Sequence, residues 1–391
     1  MSIAAHRVPR AVATPVLMTL TFPVSLGISA TSLLLPTAAG ALGVSLGAAT
    51  WLLTLYGWGM ALVMPFAAYV GDRFGRRTML RAGGAASAAG AVLILCGPWL
   101  PLIGAGRVLL AAGAGVMVVS AMNVARAFTR PVRRQRALGL ISAGIGVSGA
   151  LGPLAGALVA DASSWRVALA LPALSLVSLP LVSRVLSDEP AAGVGGLGFA
   201  RVLRDRRFLA SVVLVLALTT VYFGLVYAAP LLLGESTGWS RSEVGAVLVV
   251  PGLVGAGLSW ASAGAVLRFG ARRVAIVLAL LATFAAASAG LWGGVPPVLA
   301  AAGAAAFASA AGQGVLVGSA TSTLPESART SGVGLVNFAF QFGSVVGPAA
   351  LSVLAPAAGL GWGLLAVASV PPAALVLTGF AVTLGGRNRT V

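Results

Sequence analysis

The sequence predicts an all-α membrane protein of twelve transmembrane helices, arranged as two six-helix halves. Three observations predict it: an apolar composition nearly empty of charge, apolar runs separated by short Arg-bearing connectors, and an internal repeat at an offset of 195 residues.

Of 391 residues, 59% are hydrophobic and only 8% charged, with a mean hydropathy of +1.01, against roughly 25% charged in ordinary soluble domains. That balance excludes a soluble domain. Spans of about 20 apolar residues fit a dozen times into this length. Lipid offers the backbone no hydrogen-bond partner, so only helices and closed barrels span it. The runs are long and do not alternate, which points to helices. The net charge of +17 would suit nucleic acid if the basic residues clustered on a soluble face. All 25 are arginines scattered among short loops, so no nucleic-acid partner is expected. One cysteine, Cys96, precludes an intrachain disulfide; with one histidine, His6, most metal sites and His-based or Cys–His catalysis are also removed. No enzyme activity, metal or cofactor is expected.

Apolar runs bounded by charge, Pro or Gly give spans at about 14–37, 51–71, 78–97, 101–123, 137–160 and 167–184, then 208–230, 243–265, 273–293, 295–318, 331–354 and 361–384. The halves are 1–184 and 208–391, joined by a charged linker with a Gly-rich centre at 185–207. The run after His6, Arg7 and Arg10 reads as a retained first span rather than a cleaved signal peptide, because eleven more spans follow. Cytoplasmic loops keep positive charge during insertion. With the N-terminus inside, twenty-two arginines fall on the cytoplasmic side and two, Arg166 and Arg241, on the other. A multi-pass inner-membrane protein with both termini cytoplasmic is expected.

The repeat appears at three separate places. Arg73, Phe74 and Gly75 return as Arg268, Phe269 and Gly270; the SGALGP of Ser148 to Pro153 returns as the GSVVGP of Gly343 to Pro348; Gly139 and Leu140 return as Gly334 and Leu335. A shared offset argues for two halves from one unit, with a substrate site at the midplane between them.

At these residues the chain resembles the major facilitator superfamily over essentially its whole length. That family's loop signature after span 2 is matched by Asp72, Arg73, Gly75, Arg76 and Arg77, with Ala68 in place of its leading Gly. Its span 4 motif is matched at Arg107, but Leu110 and Ala111 stand where a Gln–Gly pair belongs. The SAGIGVSGALGPLAG of Ser142 to Gly156 and the SSWR of Ser163 to Arg166 resemble the twelve-span drug–proton antiporter branch.

The resemblance implies that Asp72, Arg73, Gly75, Arg76 and Arg77 form a latch stabilising one transporter conformation; a solvated salt bridge is the alternative. Leu267 replaces the Asp in the second copy, so only the first half can latch this way. Gly152, Pro153 and Gly156 permit close helix approach and a kink, for packing or for rocking of the halves. Spans 1, 4, 7 and 10 line the cavity in this family. They offer Ser25, Ser29 and Ser32, then Arg107, then Thr220, Tyr222 and Tyr227, then Gln313; Asn337 and Gln341 lie one turn apart on span 11. Arg107 is the only ionisable side chain placed within a span and is expected to face the cavity.

None of the eight acids lies mid-span. An embedded carboxylate is the usual proton carrier and cation partner, so selection of cations by charge is disfavoured. The expected function is a secondary active transporter, exporting a small neutral, amphipathic or anionic compound by alternating access, as in multidrug resistance. Protons are a candidate coupling ion, the partners are that substrate and the lipid bilayer, and a monomer is expected. An uptake carrier for a small metabolite is the alternative, and behind it a non-transporting sensor of the same fold.

Overall fold

A computed structural model of the chain describes residues 13–126, 131–185, 202–259, 262–322, 324 and 326–379; most of the expected linker lies outside them. The first half holds α1 (Ala13–Ser32), α2 (Leu35–Leu42), α3 (Leu46–Phe74), α4 (Arg76–Cys96), α5 (Leu100–Arg126) and α6 (Pro131–Ala162). It ends with α7 (Trp165–Leu169), a 3-10 segment at Leu171–Ser178 and α8 (Leu179–Val185). The second half holds α9 (Arg206–Thr237), α10 (Arg241–Leu258), α11 (Ser262–Phe269), α12 (Ala271–Trp292), α13 (Val295–Ser322) and α14 (Glu326–Ala358), then α15 (Leu360–Ala368) and α16 (Val370–Leu377).

Ten of the described helices are long and apolar enough to cross a membrane, or eleven with α1 and α2 taken as one bent span. The remaining stretch, α7 to α8, is the expected sixth span in broken form. Pro172 and Pro180 fall within it, and each removes a helix N–H and crowds the carbonyl four residues back. The same effect of Pro36 on Ser32 ends α1, and the chain turns by 66° into α2. The first and sixth spans are therefore interrupted, and the twelfth breaks at Ser369 between α15 and α16, where apolar runs alone predicted continuous helices.

The repeat is visible in the backbone. Gly43 and Gly238 end α2 and α9 with φ of 63° and 69°, conformations that favour glycine. Two residues later Ser45 and Ser240 cap α3 and α10, accepting from the Ala48 and Glu243 N–H groups. At the other end of the bundle Gly75 and Gly270, with φ of 91° and 80°, separate α3 from α4 and α11 from α12. The Arg73 and Arg268 guanidinium groups lie over Phe74 and Phe269, 5.5 and 5.2 Å from the ring centroids. Each pair is 195 residues apart.

Within the halves α1 packs on α6 and α9 on α14; between them α3 packs on α14 and α6 on α10. Small residues set these distances. A Cβ at Gly152 would overlap Ser29, one at Gly156 would lie 2.7 Å from the Ala30 Cβ, and one at Gly347 would overlap the backbone of Thr220 and crowd Gly224.

Candidate cavity between the halves

Between the two seams lies a cavity of about 240 Å3. The first half lines it with Ser25 and Ser29 of α1, Met60 and Met64 of α3, and Met122 of α5. The second half contributes Tyr222 of α9, Ser309 and Gln313 of α13, and Asn337, Phe340 and Gln341 of α14. Among the described lining residues there is no Arg, Asp or Glu.

Polar groups are concentrated on the second-half wall. Gln313 Nε2 donates to Asn337 Oδ1 at 3.4 Å, and Gln341 Nε2 donates to Met60 Sδ at 3.1 Å. Ser309 is 2% exposed and its hydroxyl has no partner. Phe223 joins Tyr222 to Phe340 in an aromatic run, with centroids 4.8 and 5.7 Å apart. Ser29 donates back to the Ser25 carbonyl at 3.0 Å.

The cavity thus gathers Ser25, Ser29, Tyr222, Gln313, Asn337 and Gln341. Three other candidates fall elsewhere. Ser32 and Thr220 donate to carbonyls of their own helices, Ser29 at 2.9 Å and Leu216 at 2.8 Å. Tyr227 is buried and is not among the cavity's lining residues.

Arg107 does not face the cavity, contrary to expectation. It is fully buried inside the first half, where Nε donates to Leu52 O at 2.8 Å and Nη1 to Leu169 O at 3.1 Å. Nη2 donates to Gly27 O and, at 2.9 Å, to Thr31 Oγ1. The Tyr56 ring lies 4.4 Å from the guanidinium carbon, and the Tyr56 hydroxyl donates to Val24 O at 2.8 Å. Backbone carbonyls, one of them at the α7 break, thus do for this cation what a carboxylate does elsewhere. The planar fork grips α1, α3 and α7 together.

From the middle of the bundle to the end carrying Gly43, Gly238 and Gly293, the two halves are closed together. Gly57 lies against Ser344, and Gly245 against the backbone of Leu154. Trp58 meets Phe342 edge-on, with centroids 5.1 Å apart. Across the rim Arg241 donates to Asp161 at 2.9 Å and to Thr37 of α2 at 2.6 Å. A groove of about 920 Å3 among α10, α12 and α13 is lined by apolar residues alone and offers no polar handle.

The sequence profile of the Major Facilitator Superfamily matches residues 17–348 and, in a second match, 212–389. The chain belongs to the major facilitator superfamily. The Multidrug resistance protein MdtL of Shigella dysenteriae serotype 1 is 28% identical to it over 202 residues, 50% of this chain and 52% of the relative. The same figures hold for MdtL of Escherichia coli O139:H28. The chain thus spans about half the length of these relatives. A POT family transporter solved with 5-aminolevulinic acid superposes with a TM-score of 0.75 at 14% identity, over 95% of this chain and 96% of that one. A bacterial homologue of the human lysosomal transporter Spinster, inward-facing and unoccupied, gives 0.74 at 17% identity over 96% and 97%. Both likenesses are of fold.

In this major facilitator protein the loop signature sits at the α3–α4 turn, where Gly75 supplies the positive φ. Arg73 is exposed, and Arg77 Nε donates to Ser183 O at 2.7 Å, tying α4 to α8. The side chain of Asp72 lies outside the described residues. The candidates named from the sequence left out the methionine wall, Phe340 and Ser309. The i, i+4 spacings of Met60 with Met64 and of Ser309 with Gln313 carried that signal. Arg241, expected on the outer side, meets Asp161 across the halves.

Proposed function

We propose that the chain exports small neutral amphipathic compounds across the inner membrane by alternating access. One observation carries this reading: among the described residues, the cavity between the halves is lined by carboxamides, hydroxyls, thioethers and aromatic rings without a charged side chain. Carriers built from two repeats hold substrate at such a midplane site. A cation would call for an embedded carboxylate. An anion would call for Arg107, four of whose five N–H donors are already taken. At about 240 Å3 the space is below the roughly 300–1,000 Å3 of drug-sized pockets, which favours small ligands or partial closure around larger ones.

Export is supported by the span 5 resemblance and by the MdtL relatives, which are named for multidrug resistance. The arginine asymmetry supports a topology with both termini in the cytoplasm. The closed end is then the outer one, and the cavity opens inward. Asp72 remains the candidate for the latch and, with the rim acid Asp161, for proton coupling.

Everted membrane vesicles test the proposal. Neutral amphipathic dyes should accumulate in them, faster with an inward-acid pH gradient, while cationic and anionic dyes of equal size should not. Uptake of charged dyes alone, or no flux from inserted protein, would overturn it. A cytoplasm-dependent reporter fused after Val391 should be active. Asp72→Asn should lower flux in proteoliposomes while the protein folds normally.

A further inference from the structure

The second-half wall carries more hydrogen-bonding capacity than it uses. Gln313 and Asn337 share one contact of 3.4 Å. Whichever way each amide is turned, that single contact leaves a carbonyl oxygen and N–H donors over for a third party. One turn back on α13, the Ser309 hydroxyl is 2% exposed without a partner, a costly state that a native protein keeps where something else completes the bond. One turn along α14, Gln341 spends its amide on the Met60 thioether, a weak acceptor. Beside this strip the lining is largely apolar, with the rings of Tyr222 and Phe340 from the second half and the thioethers of Met64 and Met122 from the first.

We infer that the cavity selects neutral ligands bearing an N–H donor beside a C=O acceptor on a flat apolar body, as in a lactam or cyclic imide. The donor–acceptor edge lies on the Gln313 and Asn337 carboxamides, with Ser309 completing its bond on the ligand, and the ring stacks between the aromatic and thioether surfaces. A polyol fits poorly, because most of the lining is apolar and few of its hydroxyls would find a partner. The inference rests on the reading of this cavity as the transport site.

The test is binding to the full chain in lipid nanodiscs, read by ligand fluorescence. The probes are 2-quinolinone, which has both groups, N-methyl-2-quinolinone, which has lost the donor, and naphthalene, which has neither. Wild type should bind 2-quinolinone roughly tenfold more tightly than the N-methyl compound, the scale of one hydrogen bond. Gln313→Leu and Asn337→Leu should abolish that discrimination while the melting temperature holds, and Ser309→Ala should weaken 2-quinolinone binding a few-fold. Equal binding of all three probes by wild type, or discrimination that survives both Leu variants, overturns the inference. If the vesicles export other neutral compounds and wild type binds no quinolinone, this inference fails and the transport reading stands. If the discrimination appears but nothing crosses the membrane, the site stands and the transport reading fails.

Discussion

Where the first half buries Arg107, the second half has Ala302, 195 residues on. The surroundings change with it: Gly27, Thr31 and Tyr56 correspond to Tyr222, Val226 and Pro251. In the first half a guanidinium ties three helices together. In the second, Tyr222, Val226 and Ala302 instead help to line a void of about 50 Å3 between the halves, which shares walls with the main cavity. The carboxamides diverge in the opposite sense. Gln313, Asn337 and Gln341 correspond to Val118, Ser142 and Gly146. One ancestral unit has thus been specialised twice. The first half uses its strongest polar group to hold itself together, and the second leaves its polar groups facing the cavity. Charge inside a membrane protein is costly wherever it sits, so one arginine serves one purpose well or two badly.

The sharpest way to break this comparison is Arg107→Ala. It strands carbonyls of Leu52, Leu169 and Gly27 in the core, and losing a buried polar network of this kind costs roughly 3–5 kcal/mol. The melting temperature of purified protein should fall markedly, taking transport with it, and Arg107→Lys should recover only part because a point charge cannot fork. A normal melt with abolished flux would return Arg107 to the substrate site. Gln341→Leu should do the reverse, cutting neutral-substrate flux several-fold in proteoliposomes with the melt unchanged. Tyr56→Phe should cost about 1 kcal/mol of stability with flux retained, since it removes only the bond to Val24.

Much of this architecture was legible in the sequence. Gly75, Gly270 and the Pro153–Pro348 pair announce the repeat because turns and kinks need those residue types. Polar residues on the cavity-facing spans were legible as a set, and Ser25, Ser29 and Gln313 do meet. Arg107 was misread for a physical reason. A membrane arginine without a carboxylate in reach needs backbone carbonyls, water or an anionic group of a substrate, and the cavity was the expected place; the structure instead supplies carbonyls inside the first half, one of them Leu169 at a break that hydropathy does not show. Ser32, Thr220 and Tyr227 lie outside the cavity lining, as a hydroxyl in lipid is satisfied by its own helix or a neighbour as readily as by a ligand.

The smallest expected effect lies where the two halves touch by charge. Arg241 comes from the second half, and its two contacts, Asp161 and Thr37, come from α6 and α2 of the first. The side chains are 37% and 41% exposed, so the ion pair is screened and contributes only about 0.2–1 kcal/mol. A carrier that alternates between two states of similar energy responds to a change of that size: 1 kcal/mol shifts the ratio of states about fivefold. The pair exists only while this end is closed, so Arg241→Ala should favour opening there without touching the cavity. The readout is labelling of Ser344→Cys, placed at the α3–α14 seam in a Cys96→Ser background, by an impermeant maleimide added from outside. Arg241→Ala should raise the labelling rate by up to about fivefold, and high salt should have a similar effect on the parent because exposed charges are screened. Exchanging the charges, with Arg241→Asp and Asp161→Arg together, should bring the rate back towards the parent. A rate that ignores all three changes would mean that Gly57, Gly245 and their apolar neighbours close this end unaided, and that the rim pair follows the motion without biasing it.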